Sequence, residues 1–208
     1  MKTLIMLVLV SVSATTALAS DIRESPIPGW QEIVFEGRTD YVMDEDKDCV
    51  RAEADGTASG LIREKEVDLE DTPLLRWAWR AEQPLRPGKE APERKRAGDD
   101  FVARVYVIRE GFFRWQTRAV NYVWSREHEV GEHWPNPYTG NAVMVSVQYG
   151  EEGLGEWQEF ERNVREDFRR FHDRDIDRID AVAIMTDADD TEGRAVACYR
   201  MPDFSPSS

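Results

Sequence analysis

Short runs of β-branched and aromatic residues follow one another along most of the chain, and they constrain its fold more than any other feature. Nine such runs are bounded by Gly, Pro, Asn or acidic turn residues: "WQEIVF", "DCVRAEA", "SGLIREKEV", "LLRWAWRAE", "DDFVARVYVI", "AVNYVWS", "AVMVSVQYG", "DAVAIMTD" and "RAVACYRM". Many of them alternate polar and apolar positions, which is the period of a half-buried strand. With so little helix between them, they predict an antiparallel β-sandwich of the jelly-roll kind.

One segment has a different period. In "EWQEFERNVREDFRRFHD", large apolar residues recur at steps of three and four with charges between them, namely Trp157, Phe160, Val164, Phe168 and Phe171. This pattern predicts an amphipathic helix near residues 156–172, whose aromatic stripe covers an edge or end of the sandwich.

The first residues have the pattern of a secretory signal. Lys2 precedes an apolar stretch over residues 4–12, and a small-x-small cleavage pattern ends at Ala19. Because the apolar stretch is too short for a membrane anchor, we expect a signal peptide over residues 1–19, cleaved after Ala19. Residues 20–208 have the size of one domain, and the expected location is the periplasm or the exterior of the cell.

The charge balance excludes one class of partner. The formal net charge is −14, with 41 acidic against 27 basic residues. Because phosphate backbones repel such a chain, we expect no nucleic-acid partner. The charge suits cations or neutral ligands, although a well-solvated surface is the simpler explanation. No segment after the signal is long and apolar enough to span a membrane.

Cys49 and Cys198 are the only two cysteines. Disulfides persist outside the cytoplasm, so an even pair in an exported chain favours one bridge, and the alternative is two unpaired thiols on separate strands. A bridge would close nearly the whole mature chain, which places its stabilisation at about 4 to 5 kcal/mol in the chain-entropy model.

Motifs for metal or nucleophilic chemistry are weak. His128 and His133 lie five positions apart, whereas two zinc ligands on one helical face need a spacing of four. The acidic run "DEDKD" begins like a calcium loop, but Cys49 and Asp55 replace its required Gly and Glu. No nucleophile elbow, P-loop or dinucleotide-binding pattern occurs. We therefore expect no cofactor and no familiar nucleophilic catalysis.

An arginine interrupts one of the apolar strands. In "DDFVARVYVI", alternation places Arg104 on one face together with Tyr106 and Ile108. A mid-strand arginine between apolar neighbours needs a carboxylate partner, and the candidates are Asp99, Asp100 and Asp187. The interaction is either a buried pair that ties strands together or part of a ligand site.

Aromatic residues also share strand faces, Trp77 with Trp79 and Tyr122 with Trp124. On an open concave face such rings stack on sugars. Between two sheets they are core, which is the more common case.

The stretch "MTDADDTEGRAVACY" places three aspartates in one short turn. By alternation Asp187 falls on the inward face of its strand and can point towards Arg104. Asp189 and Asp190 shape the turn by bonding its backbone. A structural calcium ion is a less favoured alternative, because it needs several more oxygen ligands than this turn supplies.

Several motifs together resemble a known bacterial family, the domain-of-unknown-function 3047 family. They are "SGLIR", "LLRWAWR", "GDDFVARVYV", "VNYVWS", "NPYT", "VREDFRRF" and "AIMTDADDT", in order over nearly all of the mature chain. The resemblance implies an exported β-sandwich reminiscent of carbohydrate-binding modules, without an established activity. The family's acidic turn typically reads Asp-x-Asp-Asn-Thr, followed by a strand with paired tyrosines. Here Asp190 replaces the Asn and Cys198 the first tyrosine, so the disulfide is a feature of this chain, and any ligand role of that strand is in doubt.

These observations favour an exported protein that binds a carbohydrate or another polar ligand without catalysis. The predicted ligand contacts are Trp79, Asp100, Arg104, Tyr122, Trp124 and Asp187. One alternative is a lyase or hydrolase acting on cell-envelope polysaccharide, with Asp100 or Asp187 as general acid or base. A third is a purely structural envelope protein. An open cavity at Arg104, Asp100 and Asp187 favours a ligand, whereas a sealed triad argues against one.

Overall fold

The computed structural model describes residues 21–207, so the predicted signal peptide lies outside the described residues. The described chain forms thirteen strands in two sheets and one α-helix. The predicted β-sandwich is confirmed, and each of the nine runs found in the sequence contains a strand. No helix in this part of the chain is long and apolar enough to cross a lipid bilayer.

The larger sheet has eight strands in the spatial order β1-β2-β5-β12-β7-β8-β10-β9. Their bounds are β1 (Asp21–Glu24), β2 (Gln31–Glu36), β5 (Ala58–Asp68), β7 (Arg104–Arg109), β8 (Arg118–Ser125), β9 (His133–Pro135), β10 (Ala142–Tyr149) and β12 (Arg178–Asp187). All neighbours pair antiparallel except β8 and β10, which run parallel. The sheet thus differs from a purely antiparallel one at a single pair among the described strands.

The smaller sheet has five strands in the order β11-β6-β13-β4-β3, all antiparallel. Their bounds are β3 (Asp40–Asp44), β4 (Cys49–Asp55), β6 (Leu74–Arg86), β11 (Gln158–Asn163) and β13 (Arg194–Ser205). Strands β4 and β13 lie side by side, and Cys49 and Cys198 on them form a disulfide with a Cα–Cα distance of 5.7 Å. The predicted bridge is confirmed, and a disulfide fits an exported protein.

The main hydrophobic core lies between the two sheets. Alternation along β7 directs Val105 and Val107 into it, and the same core contains buried aromatic residues such as Trp79 and Tyr199. Tyr106 and Ile108 point to the opposite face, as the sequence predicted. That opposite face of the larger sheet carries a second apolar cluster rich in alanine, and Phe35 packs against it.

The helix is shorter than predicted. α1 spans Val164–His172, whereas residues 158–163 form β11, which pairs with β6 at the edge of the smaller sheet. Asn163 ends the strand and begins the helix, because its side chain accepts a hydrogen bond from the Glu166 backbone N–H at 3.2 Å. The predicted amphipathic helix is therefore confirmed, but it begins at Val164 and not near residue 156. Phe160 fits either period, and here it stacks on Trp77 as a strand residue.

Candidate functional site

A cavity of about 190 Å³ opens on the outer face of the larger sheet, where β12 ends and β7 begins. Strand residues supply part of its wall, namely Phe35, Glu36, Ala58, Arg104, Tyr106, Met185 and Asp187. The loops before β7, after β9 and after β12 complete it with Asp99, Tyr138, Asp189 and Asp190. The cavity is therefore polar at its loop end and partly aromatic on the sheet.

Arg104 is the central cation of this wall and is almost completely buried. Its Nε donates to Asp187 Oδ1 at 2.9 Å, and its Nη2 donates to Asp187 Oδ2 and to the Asp99 carbonyl oxygen. Nη1 donates to the Tyr106 hydroxyl at 3.2 Å and lies 3.5 Å from Asp99 Oδ2. Two of the three predicted candidates, Asp187 and Asp99, are therefore its partners.

Asp99 is the second buried carboxylate beside Arg104. Its Oδ2 also accepts a hydrogen bond from Asn136 Nδ2 at 3.1 Å, but its Oδ1 has no hydrogen-bond partner among residues 21–207. Burial raises the pKa of Asp99 to about 7. The positive charge of Arg104 lowers this pKa, and the negative charge of Asp190 raises it further.

Asp100 has a different role from the one predicted. It is fully buried, does not border the cavity, and accepts hydrogen bonds from the Thr191 N–H at 2.7 Å, the Thr191 hydroxyl at 2.6 Å and the Asp190 N–H at 3.3 Å. It thereby fixes the loop over residues 188–193. A Cβ at Gly193 would lie 2.6 Å from the Arg86 carbonyl oxygen, so this loop needs glycine where it passes β6.

Asp189 and Asp190 occupy that loop, half-buried. The Tyr138 hydroxyl donates to both oxygens of Asp190, at 2.5 and 2.6 Å. Burial, followed by the charges of Asp100 and Asp190, raises the pKa of Asp189 to about 7. One carboxylate oxygen from each of Asp100, Asp189 and Asp190 lies within 4.8 Å of the other two.

The three predicted aromatic contacts lie elsewhere. Trp79, Tyr122 and Trp124 are buried between the sheets and do not border the cavity. The ring centroids of Trp79 and Trp124 are 6.4 Å apart, and the Tyr122 hydroxyl donates to Asp167 Oδ2 at 2.7 Å. Core packing, the alternative considered for these residues, describes their positions.

The predicted site omitted several residues that line the cavity, among them Phe35, Glu36, Tyr106 and Tyr138. A signal existed for Tyr106, because alternation placed it on the same strand face as Arg104. Tyr138 belongs to the motif "NPYT" in a long irregular loop. Nothing in the sequence near Phe35 marks it as part of a site.

The geometry defines a class of protein: a jelly-roll β-sandwich with a small acidic cavity on the outer face of its larger sheet. The family model described as "Protein of unknown function (DUF3047)" matches residues 28–202. The chain belongs to this family, which confirms the resemblance seen in its motifs. No curated protein matches the chain.

Several solved structures are similar to this chain at low sequence identity. A thermostable cellulase derived from Cel12A of Rhodothermus marinus has a TM-score of 0.52 at 10% identity, over 90% of this chain and 96% of that one. The xyloglucanase domain of NopAA from Sinorhizobium fredii, in complex with cellobiose, gives 0.49 at 8% identity, over 93% and 100%. TmCBM61, in complex with beta-1,4-galactotriose, gives 0.42 at 12% identity, over 89% and 91%.

Proposed function

We propose that this protein is exported and binds a carbohydrate, or a similar polyhydroxylated ligand, in the cavity beside Arg104 without transforming it. The observation that carries the proposal is the cavity wall itself, because the aromatic Phe35 lines the same cavity as Arg104, Asp187 and Tyr106. Sugars present an apolar ring face and a rim of hydroxyl groups, and such sites combine flat side chains with a few fixed polar groups.

The polar groups are held rigidly before any ligand arrives. Asp187 has both oxygens occupied by Arg104, and its Oδ1 also accepts the Phe101 N–H at 3.0 Å. Within residues 21–207, the acceptor for the Tyr106 hydroxyl is the Met185 sulfur, at 3.4 Å. Because sulfur is a weak acceptor, a ligand hydroxyl can replace it at little cost.

Catalysis by the predicted acids is not favoured by their surroundings. Asp187 is paired with Arg104, and Asp100 accepts three hydrogen bonds from the loop over residues 188–193. Carboxylates whose oxygens are occupied in this way are not free to donate or accept a proton at a bound ligand. A binding function therefore fits them better than a general acid or base.

Calorimetric titration of the purified protein with oligosaccharides of β-glucan, β-galactan and xylan, together with an acidic polysaccharide, tests the proposal. We expect one class to bind, and Phe35→Ala to weaken its binding about tenfold through loss of ring stacking. Phe35 is half-buried at the cavity, so the truncation should preserve the fold, which circular dichroism checks.

Trp115→Ala is the matched control, because Trp115 is an exposed ring stacked on Phe113 in the loop between β7 and β8. If Trp115→Ala loses saccharide binding while Phe35→Ala retains it, the ligand binds at that loop and not in the cavity. Binding by none of the saccharides would overturn the proposal. Release of reducing ends or unsaturated products during the titration would contradict a non-catalytic role.

Export is the second part of the proposal and is supported by the disulfide and by the signal-like pattern of the first nineteen residues. Fractionation of the source bacterium, followed by intact-mass measurement, tests it. We expect a mature chain beginning at Ser20 in the periplasm or medium. A chain retaining residues 1–19 in the cytoplasm would refute export.

A further inference from the structure

The acidic turn after β12 does not stand alone in the folded protein. The loop before β7 brings Asp99 and Asp100 against it, and the Asp100 carboxylate holds the turn through the backbone N–H groups of Asp190 and Thr191. The oxygen ligands that the turn lacks in the sequence are therefore supplied by a segment about ninety residues away.

The spacing of these carboxylates suits one metal ion. Asp100, Asp189 and Asp190 each place one oxygen within 4.8 Å of the other two. Calcium lies about 2.3 to 2.6 Å from its oxygen ligands, so oxygens on opposite sides of one ion are up to about 5 Å apart. The three oxygens can thus share a single coordination sphere without a change of backbone.

Asp99 provides an independent indication of a ligand. Its side chain is 3% exposed, yet its Oδ1 has no hydrogen-bond partner among the described residues, and it borders the same cavity as Asp189 and Asp190. An unpartnered buried carboxylate oxygen is costly, and charged groups in this position are normally paired or bound to a metal. The nearest guanidinium, that of Arg104, is bound chiefly by Asp187 and approaches the other oxygen of Asp99, Oδ2, at 3.5 Å.

The hydrogen bond from the Tyr138 hydroxyl does not prevent Asp190 from binding a cation. This hydroxyl donates to both oxygens of Asp190, so one oxygen can turn to a cation while the other keeps the hydrogen bond. Asp189 and Asp190 are only half-buried, and the cavity beside them has room for water to complete the coordination.

We propose that Asp100, Asp189 and Asp190 bind one calcium ion at the loop end of the cavity, with the carboxylate of Asp99 beside it. The three ligands are hard carboxylate oxygens from two loops, a set that suits calcium and offers none of the nitrogen or sulfur atoms preferred by zinc. The ion would lock the loop before β7 to the loop after β12. This site goes beyond the proposed ligand binding and does not require it.

Terbium luminescence and calorimetry test the site directly on chelator-treated protein without saccharide. Tyrosine excitation should sensitise bound terbium through Tyr138, with saturation at one ion per chain and displacement by calcium. Calcium should also raise the thermal midpoint of unfolding, because it binds the folded state only. Magnesium should compete poorly, since it demands a tighter octahedral arrangement.

The variants separate a specific site from general acidity. Asp189→Asn and Asp190→Asn should each weaken calcium binding at least about tenfold. Asp46→Asn, in the exposed acidic turn between β3 and β4, is the matched control and should bind as the wild type does. Asp99→Asn should weaken binding while circular dichroism stays unchanged.

Absence of calcium heat and of terbium signal at millimolar metal in the wild type would overturn the site. An equal loss of affinity in Asp46→Asn and Asp189→Asn would also overturn it, by showing binding to surface charge. Saccharide titrations in the presence of chelator measure carbohydrate binding without the ion. The carbohydrate proposal and the calcium proposal can therefore fail independently of each other.

Discussion

Arg104 of β7 and Asp187 of β12 form a two-pronged ion pair across neighbouring strands, and both side chains are 3% exposed. The two residues are 83 positions apart in the chain. It closes the cavity floor and at the same time satisfies the Phe101 N–H, which donates to Asp187 Oδ1. A single interaction therefore links the end of β12, the start of β7 and the loop that carries Asp99.

Removal of one partner of this pair should be strongly destabilising. Asp187→Ala leaves the Arg104 guanidinium buried without its main acceptor, which costs about 3 to 5 kcal/mol of unfolding free energy. Replacement of both partners, as in Arg104→Met with Asp187→Leu, should recover much of that loss because no buried charge remains. Urea unfolding followed by tryptophan fluorescence measures both.

The control for this prediction is a surface pair. Arg76 and Glu161 lie 2.6 Å apart on β6 and β11, and each is about half exposed. Arg76→Ala should therefore cost about 1 kcal/mol or less. Equal losses from Asp187→Ala and Arg76→Ala would show that the buried pair contributes no more than an exposed one.

The strands were predictable from the sequence because their signal is local. Alternation within each run is visible without knowledge of its neighbours, and the face of β7 that carries Tyr106 followed from it directly. The start of α1 was less predictable, because Trp157 and Phe160 fit a helical stripe as well as an edge strand. Pairing with β6, which the sequence does not display, determines the outcome.

The site was less predictable than the fold because its residues meet only through long-range contacts. Asp100 and Asp190 are ninety positions apart, and Tyr138 reaches Asp190 from a third segment. Arg104 and Asp187 could be identified because a charge inside an apolar strand is conspicuous in the sequence. The rings of Trp79, Tyr122 and Trp124 are conspicuous too, yet an aromatic strand face looks the same whether it borders ligand or core.

Truncation of Trp79 should test that core assignment. Trp79 is fully buried and packs within 5.7 Å of Trp77 and 4.9 Å of Phe160, measured between ring centroids. Trp79→Ala should lower the unfolding free energy by about 3 to 5 kcal/mol, since it leaves a large cavity between the sheets. The milder Trp79→Phe should leave saccharide affinity within about twofold of the wild type.

Trp115→Ala again provides the contrast, because that ring is 65% exposed and its loss should change stability by about 0.5 kcal/mol or less. Chemical denaturation and calorimetric titration of the same preparations give both quantities. A Trp79→Phe variant that folds normally but no longer binds saccharide would show that Trp79 contributes to ligand binding.

His172 should make stability depend on pH just below neutrality. Burial lowers its pKa from the ordinary value of 6.5, partly offset by the contact of Nε2 with the Ala119 carbonyl oxygen at 2.9 Å, and the nearby Arg118 and Arg174 lower it further. The unfolded chain therefore binds a proton at a higher pH than the folded protein does. The stabilising contribution is complete above about pH 6.5 and is lost as the pH falls towards the folded-state pKa.

His172→Gln keeps an N–H donor without titrating, so the difference in thermal midpoint between wild type and variant should change between pH 7.5 and pH 5. A difference that stays constant over this range would show that His172 has the same pKa in both states.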